Sequence, residues 1–341
     1  MGSPTIDDVA EAADVSKGTV SAVINDADTV SDSTRSRVLD VIDELNYRPR
    51  ASAQRGFQRG AERSLGLIIK ESANPYYANV IAGAREHANE SGYSVLTASS
   101  EGSYRTEQEI VDVFVAKDVA GLIVVPVLGE ETDVSYLYDL KRRNFPFILL
   151  EEIQGVQCNL VDIDNVRALK RAALYLIEAG HENLVHFAGP EYSMHSRERA
   201  AGVREAYSES PLAFSAERVI PAGARLEDGY ETGLEYFRDR SPADRPTAVL
   251  CYNDLVALGL MRALSELGIR VPDEVSVMGC DNIGFAQYGC VPLSSIDIPK
   301  VEMGRAAADI LVRHVESDRK LQHEKQRLEA DLVLRDSTRS L

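Results

Sequence analysis

From Ser64 to Asn282 the chain alternates short apolar runs with longer stretches of helical periodicity, and this alternation constrains the fold more tightly than any single motif. SLGLIIKE (64–71), YSVLTAS (93–99), GLIVVPV (121–127) and FPFILLEE (145–152) are aliphatic and β-branched and read as strands. Between them Tyr76–Glu90 turns Val80, Ile81, Ala84 and Ala88 to one face, with further helices at Thr106–Ala116 and around Val134–Arg143. A second series follows: CNLVDID (158–164), a helix to Ala179, NLVHFAG (183–189), helix Arg199–Ser208, ERVIPAG (217–223), helix Glu227–Arg238, TAVLCYND (247–254), helix Leu255–Leu267 and VSVMGCDN (275–282). Strands and helices alternating at this period imply parallel, doubly wound sheets, here two in series. Neither series contains GxGxxG, GxxxxGK(S/T) or GxSxG. Two α/β lobes that clamp a ligand fit better than a nucleotide enzyme.

Ahead of the lobes, TIDDVAEAADVSKGTVSAVIN (5–25) reads as two short helices and a tight turn. Thr5 and Asp8 stand at capping-box spacing, and Ile6, Val9 and Ala10 share a face of a helix ending near Ala13. Asp14 and Val15 make the turn, and Ser16 caps a second helix, Lys17–Asn25. Val20, Val23 and Ile24 form its inner face; Lys17, Gly18, Ser21, Ala22 and Asn25 form its outer one. A third helix, roughly Asp32–Leu45, offers the stripe Val38, Val41, Ile42 and Leu45. Helices this short hold only by packing on one another. A polar, small-residue second helix suits the major groove of DNA, although the bare pattern is equally that of a helical cap.

The residues match a known family in detail. TIDDVAEAADVSKGTVSAVIN followed by VSDSTRSRVLDVIDELNYRPR (30–50) resembles the N-terminal domain of the LacI/GalR family of bacterial transcriptional repressors. The shared features are DVA in the first helix, VS..TVS..(I/L)N in the second, VS..TR..V in the third and NY.P leading into a hinge. LVLRDST (332–338) is similar to that family's closing strand. The resemblance implies an α/β protein: an N-terminal three-helix helix-turn-helix head plus a two-lobed periplasmic-binding-protein-like effector domain. It sets the head at 1–47, a hinge at 48–63 and the effector-binding and dimerisation domain at 64–341. Three segments cross between lobes, near Asp164, near Val291–Ile298 and before Leu332. Lobe one is then about 64–162 and 292–325, with 301–317 as one of its helices, and lobe two about 163–291 and 326–341.

For function, the resemblance implies a homodimer on a pseudo-palindromic operator. Ser16, Thr19, Asn25, Ser31 and Thr34 would position on phosphates, Lys17, Gly18 and Ala22 would face bases, and Ser21 shares their surface. Ala22 replaces an arginine frequent in the family. Tyr47, Arg50, Arg55 and Phe57 carry the contact into the hinge, which in the family folds on DNA and wedges the minor groove with an apolar side chain. Gly56 stands where the family usually has leucine. Either Phe57 takes the wedge role from a shifted turn, or the hinge bends DNA less.

Ligands of open α/β lobes meet the carboxyl ends of strands. There stand Glu151 and Glu152, Asp162 and Asp164, Asn253 and Asp254, and Asp281 and Asn282, each open to a bland reading as a helix cap or solvated acid. The family pattern narrows the ligand-binding set to Arg199, Asn253, Asp281, Glu151 and the aromatics Tyr76 and Tyr77, and implies a sugar or sugar derivative as effector. Ala224 falls where many members carry an aromatic. Arg197 adds positive charge that an acidic sugar or sugar phosphate would use.

Charge fits a DNA-binding head poorly. The chain carries −17 overall, and residues 1–63 hold eight Lys/Arg against eleven Asp/Glu. Either the head no longer binds DNA or the protein belongs to a salt-rich cell, where repulsion is screened within about 3 Å at molar salt. The second is favoured because residues 48–63 concentrate five arginines against one acid. The four cysteines show no CxxC pairing, which suggests buried reduced thiols, and HENLVH (181–186) is not HExxH, so no metal site is expected. With no membrane-length apolar run and no leader-like start, a cytoplasmic protein is expected. No catalytic residue and no cofactor emerges. A sugar-binding protein with a non-regulatory head and a cleft enzyme are the competing classes.

Overall fold

The structure, a computed structural model, describes residues 5–24, 30–45, 63–129, 133–317 and 321–341. Asn25, Tyr47, Arg50, Arg55 and Phe57 lie outside these, as does most of the hinge.

The head consists of α1 (Ile6–Ala12), α2 (Lys17–Ile24) and α3 (Asp32–Glu44). Thr5 and Asp8 form a capping box: Thr5 Oγ1 accepts from the Asp8 amide at 3.4 Å and the Asp8 carboxylate from the Thr5 amide at 2.6 Å. Asp14 turns the chain with φ +49°, a conformation that aspartate tolerates. Ser16 Oγ then accepts from the Thr19 amide at 3.1 Å and starts α2. Val9, Ala13, Val20, Val23 and Val38 are buried together, with Ile6, Val41 and Ile42 packed on them.

The first lobe is built from β1 (Ser64–Ile69), α4 (Tyr76–Glu90), β2 (Ser94–Ser99), α5 (Tyr104–Ala116), β3 (Gly121–Val124), α6 (Ser135–Arg142), β4 (Phe147–Leu149) and β5 (Asn159–Ile163). The second continues through α7 (Asn165–Glu178), β6 (Leu184–Ala188), α8 (Met194–Ser208), β7 (Val219–Pro221), α9 (Leu226–Phe237), β8 (Ala248–Cys251), α10 (Asp254–Glu266), β9 (Ser276–Cys280) and β10 (Ser294–Asp297). Then α11 (Lys300–Glu316) and β11 (Lys325–Leu328) rejoin the first lobe, and β12 (Asp331–Val333) the second. The sheet orders are β11-β5-β4-β3-β1-β2 and β12-β10-β9-β8-β6-β7. Among the described residues every pairing is parallel except β10 with β12. β1, β3, β4 and β5 are wholly buried, which is why the first three are nearly continuous apolar runs and Asn159 and Asp162 of β5 are hydrogen-bonded, whereas edge strand β2 is partly exposed.

In both sheets the winding reverses, between β1 and β3 and between β6 and β8. Such reversals leave a crevice beyond the carboxyl ends of the strands. Helices α4 and α11 brace the first lobe in backbone contact: a Cβ on Gly83 would collide with the Val301 carbonyl, and one on Gly304 with the Val80 carbonyl.

The return expected near Val291–Ile298 comes at the far end of that range, after β10, because Ser294–Ile296 pairs with Met278–Cys280 in the second sheet, so the lobe bound of about 292 moves to about 298. SSID hides as a strand because its polar groups are satisfied inside: Ser294 Oγ lies 2.8 Å from Thr338 Oγ1, and Ser295 Oγ donates to Asp254 at 2.5 Å. The last crossing, expected before Leu332, falls at Glu329–Ala330, since Lys325–Leu328 pairs with Leu160–Ile163 in the first sheet, so the lobe bound of about 326 moves to about 329. KQRL lies at a sheet edge, mostly exposed, and so lacks an apolar signature. Cys158, Cys251 and Cys280 are buried, but Cys290 is exposed, on the connection between β9 and β10. Among the described residues no helix is long and apolar enough to cross a membrane.

Candidate functional site

A cavity of about 710 Å³ opens between the carboxyl ends of the two sheets. At its floor is Glu151, just after β4 and fully buried, in an ion pair with Lys70 from the end of β1. Ser193 of the second lobe donates to its other oxygen at 2.8 Å. Burial alone would raise the Glu151 carboxyl, but Lys70 and then His195 outweigh it and hold it near pKa 2. His195 stands beside it, with Nδ1 4.0 Å from Glu151 and Nε2 2.7 Å from Asp162.

Arg199, one turn further along α8, is buried. Its Nε donates to Asn165 Oδ1 at 2.9 Å, Nη1 donates to the Tyr252 carbonyl, Nη2 lies 3.9 Å from Asp281 Oδ1, and the guanidinium covers the Tyr252 ring at 4.7 Å. Asp281 follows β9 with φ +118°, backbone strain of the kind that accumulates at binding sites. Burial lifts its carboxyl to about 6 against the pull of Arg199 and Lys300. Asn253 caps α10: Oδ1 accepts from the Val256 amide at 2.8 Å, while Nδ2 donates to the Ala224 carbonyl at 2.8 Å. That amide ties the β7–α9 turn to β8 and retains one N–H for a ligand. Tyr76 and Tyr77 meet edge to face at 5.2 Å on the opposite wall, with the Tyr76 hydroxyl on Met303 Sδ at 3.2 Å.

All six residues singled out for ligand binding, Tyr76, Tyr77, Glu151, Arg199, Asn253 and Asp281, line this one cavity. Arg197 does not: it is exposed, and its Nε donates to the Glu191 carbonyl at 2.8 Å, so its charge is unavailable to the cleft. With only a methyl at Ala224, the cavity runs on to Glu231, Thr232 and Glu235 of α9. Sequence reading missed Lys70, Ser193, His195 and Arg225. Ser193 and His195 were hidden because α8 begins at Met194, five residues before the expected Arg199, and its first turn, MHSR, has no apolar stripe. The serine cap was the available signal.

In the head, Ser16, Gly18, Thr19, Ala22, Ser31 and Thr34 share one shallow recess with Arg37, a cation the sequence reading passed over. Two hydroxyl pairs face it, Ser16 with Thr19 and Ser31 with Thr34, each at 2.9 Å. Ser21 is half-buried on α2. Lys17 is drawn into an ion pair with Asp7, both more than half exposed. Among the described residues no three His, Cys, Asp or Glu side chains converge to hold a metal ion.

Known proteins place this arrangement. A family model described as bacterial regulatory proteins, lacI family, matches residues 5–50, and one described as a periplasmic binding protein-like domain matches 173–338. The transcriptional repressor PurR of Photobacterium profundum is 32% identical over 99% of both chains, and PurR of Vibrio parahaemolyticus is 33% identical over 99% of both. Among solved structures, the lac repressor dimer bound to operator and the anti-inducer ONPF has a TM-score of 0.79 at 27% identity, covering 99% of each chain. A CelR–cellobiose complex has a TM-score of 0.73 at 29% identity, covering 98% of this chain and 99% of the other. A helix-turn-helix head joined to two such lobes, with similarity to repressors along the whole chain, makes this protein a member of the LacI family of DNA-binding transcriptional repressors, with a ligand-binding domain.

Proposed function

We propose that the protein represses a carbohydrate-utilisation operon from the cytoplasm as a homodimer on a pseudo-palindromic operator, and that an uncharged polyhydroxylated ligand in the cleft sets its affinity for DNA. The head recess takes phosphates on Ser16, Thr19, Ser31 and Thr34, and α2 reads bases; the hinge, 48–63, couples head to lobes. One short helix reads too few base pairs to be selective, and pairing two of them supplies the discrimination. A ligand shifts DNA affinity only by its different affinity for the two lobe arrangements.

The charge balance of the cavity carries the choice of ligand. Its lining holds six carboxylates, Glu71, Glu151, Asp228, Glu231, Glu235 and Asp281, against three permanent cations, Lys70, Arg199 and Arg225. Each cation already faces a carboxylate: Lys70 on Glu151, Arg199 on Asp281 and Arg225 on Glu71. A phosphate or carboxylate ligand would enter a net negative cavity, whereas hydroxyl groups can donate to carboxylates and accept from the guanidinium and amide. The length of the cavity toward α9 suits more than one sugar ring, and the cellobiose of the CelR complex is a ligand of this class. Thermal melting against neutral disaccharides, hexose phosphates and uronic acids tests the reading. A melting rise with a neutral disaccharide and none with the anions supports it; a rise with the anions alone overturns it.

A further inference from the structure

We propose that His195 is a positioning residue whose proton clasps the two lobes together, so that closure of the cleft is linked to pH near neutrality. The imidazole belongs to the second lobe, in the first turn of α8, yet both of its neighbours on the acid side belong to the first: Asp162 at 2.7 Å from Nε2 and Glu151 at 4.0 Å from Nδ1. A neutral imidazole has one N–H and can serve only one of them; an imidazolium has two and can serve both. Asp162 is fixed as an acceptor by its own lobe, with Oδ1 taking the Ile163 amide at 2.7 Å and Oδ2 the Glu152 amide at 3.2 Å.

The surrounding charges call for the proton. Around His195 stand four carboxylates, Glu151, Asp162, Glu198 and Asp281, and three permanent cations, Lys70 on Glu151, Arg199 on Asp281 and Arg327 on Glu198. Glu152, which Arg327 also touches, is matched by Lys325 at 2.6 Å. Lys300, which also pulls on Asp281, is matched by Asp297 at 3.5 Å, so one positive charge is missing, and protonated His195 supplies it. Burial pushes the imidazole toward neutrality, but Asp162 and Glu151 outweigh burial and the opposing Arg199, and its pKa rises above the ordinary 6.5. For a histidine raised in the assembled state, the contribution is fully present below 6.5 and is lost as pH climbs through the raised value. Among the described residues the lobes are also joined by Ser193 to Glu151 at 2.8 Å, Arg225 to Glu71 at 2.7 Å and Arg327 to Glu198 at 3.3 Å, none of them through an imidazole.

The consequence for effector binding rests on the cleft being the effector site; the clasp itself does not, and it is measured without ligand or DNA. In the full chain carrying Cys290→Ser, a dye pair on Lys117→Cys in the first lobe and Glu217→Cys in the second reports lobe separation by energy transfer from pH 5.5 to 9. The separation should stay short at low pH and lengthen in one step with a midpoint above 6.5. His195→Gln, which keeps a donor for Asp162 but cannot titrate, should lose the step entirely. His195→Lys, with a permanent charge, should remain closed throughout and also serves as the test if the glutamine variant fails to fold. A separation that does not change with pH in the parent chain, or a step that survives with the same midpoint in either variant, overturns the proposal.

Discussion

Arg225 Nη2 and Nε both reach Glu71 Oε1, at 2.7 and 3.0 Å, and so join the lobes across the mouth of the cleft. Both side chains keep substantial solvent access, so the pair contributes at most about 1 kcal/mol to folding. Its effect should fall on ligand escape. Arg225→Gln is expected to melt within a degree or two of the parent chain while releasing a bound neutral sugar several-fold faster in stopped-flow displacement.

Arg199 is held by more than it could be by a ligand alone. Truncation to alanine leaves Asp281 buried with Lys300 as its remaining cation and Asn165 Oδ1 without its donor, and should cost roughly 3–5 kcal/mol in urea denaturation. Arg199→Lys keeps the charge but loses the planar fork, so it should fold nearly normally, bind operator DNA and fail to respond to the effector. A gel shift with and without ligand checks this, and a lysine variant that responds normally would remove Arg199 from the ligand's contacts.

Glu107 of α5 is wholly buried, accepting from the Val127 amide at 2.7 Å and the Tyr136 hydroxyl at 2.6 Å. Burial outweighs those bonds and raises its carboxyl from 4.5 to about 7. The folded state therefore holds a proton that the unfolded chain releases first. Its cost begins near pH 4.5 and is complete above pH 7, a loss of roughly 3 kcal/mol with rising pH. Glu107→Gln can still accept from Val127 and donates to Tyr136 instead. Its stability relative to the parent, from urea melts at pH 5 and pH 8, should improve by about that amount at the higher pH.

What the sequence made legible follows from where each residue gets its partners. The head could be read because Thr5, Asp8 and Ser16 bond within their own turn and Val9, Val20 and Val38 repeat at helical spacing. The buried strands of the two lobes announce themselves as apolar runs for the same local reason. β10 and the start of α8 do not, because Ser294, Ser295, Ser193 and His195 find their partners 33 to 44 residues away, at Thr338, Asp254, Glu151 and Asp162. The six cleft residues were found through the family pattern; Glu151, Asn253 and Asp281 also stand just past strand ends, whereas Tyr76, Tyr77 and Arg199 lie on helices. The inter-lobe contacts of His195 and Arg225 depend on how the lobes meet, which no local pattern encodes.

The central claim, a repressor whose acidic head still reads DNA, is tested most directly by selection of genome fragments on the purified full-length protein across a KCl series. Described residues of the head hold few cations, and Lys17 is already drawn to Asp7, so elevated KCl should weaken retention less steeply than is usual for DNA-binding proteins. One recurrent pseudo-palindrome, retained through that series and released by a neutral sugar, is the expected result. Recovery of unrelated fragments at every salt concentration would contradict it.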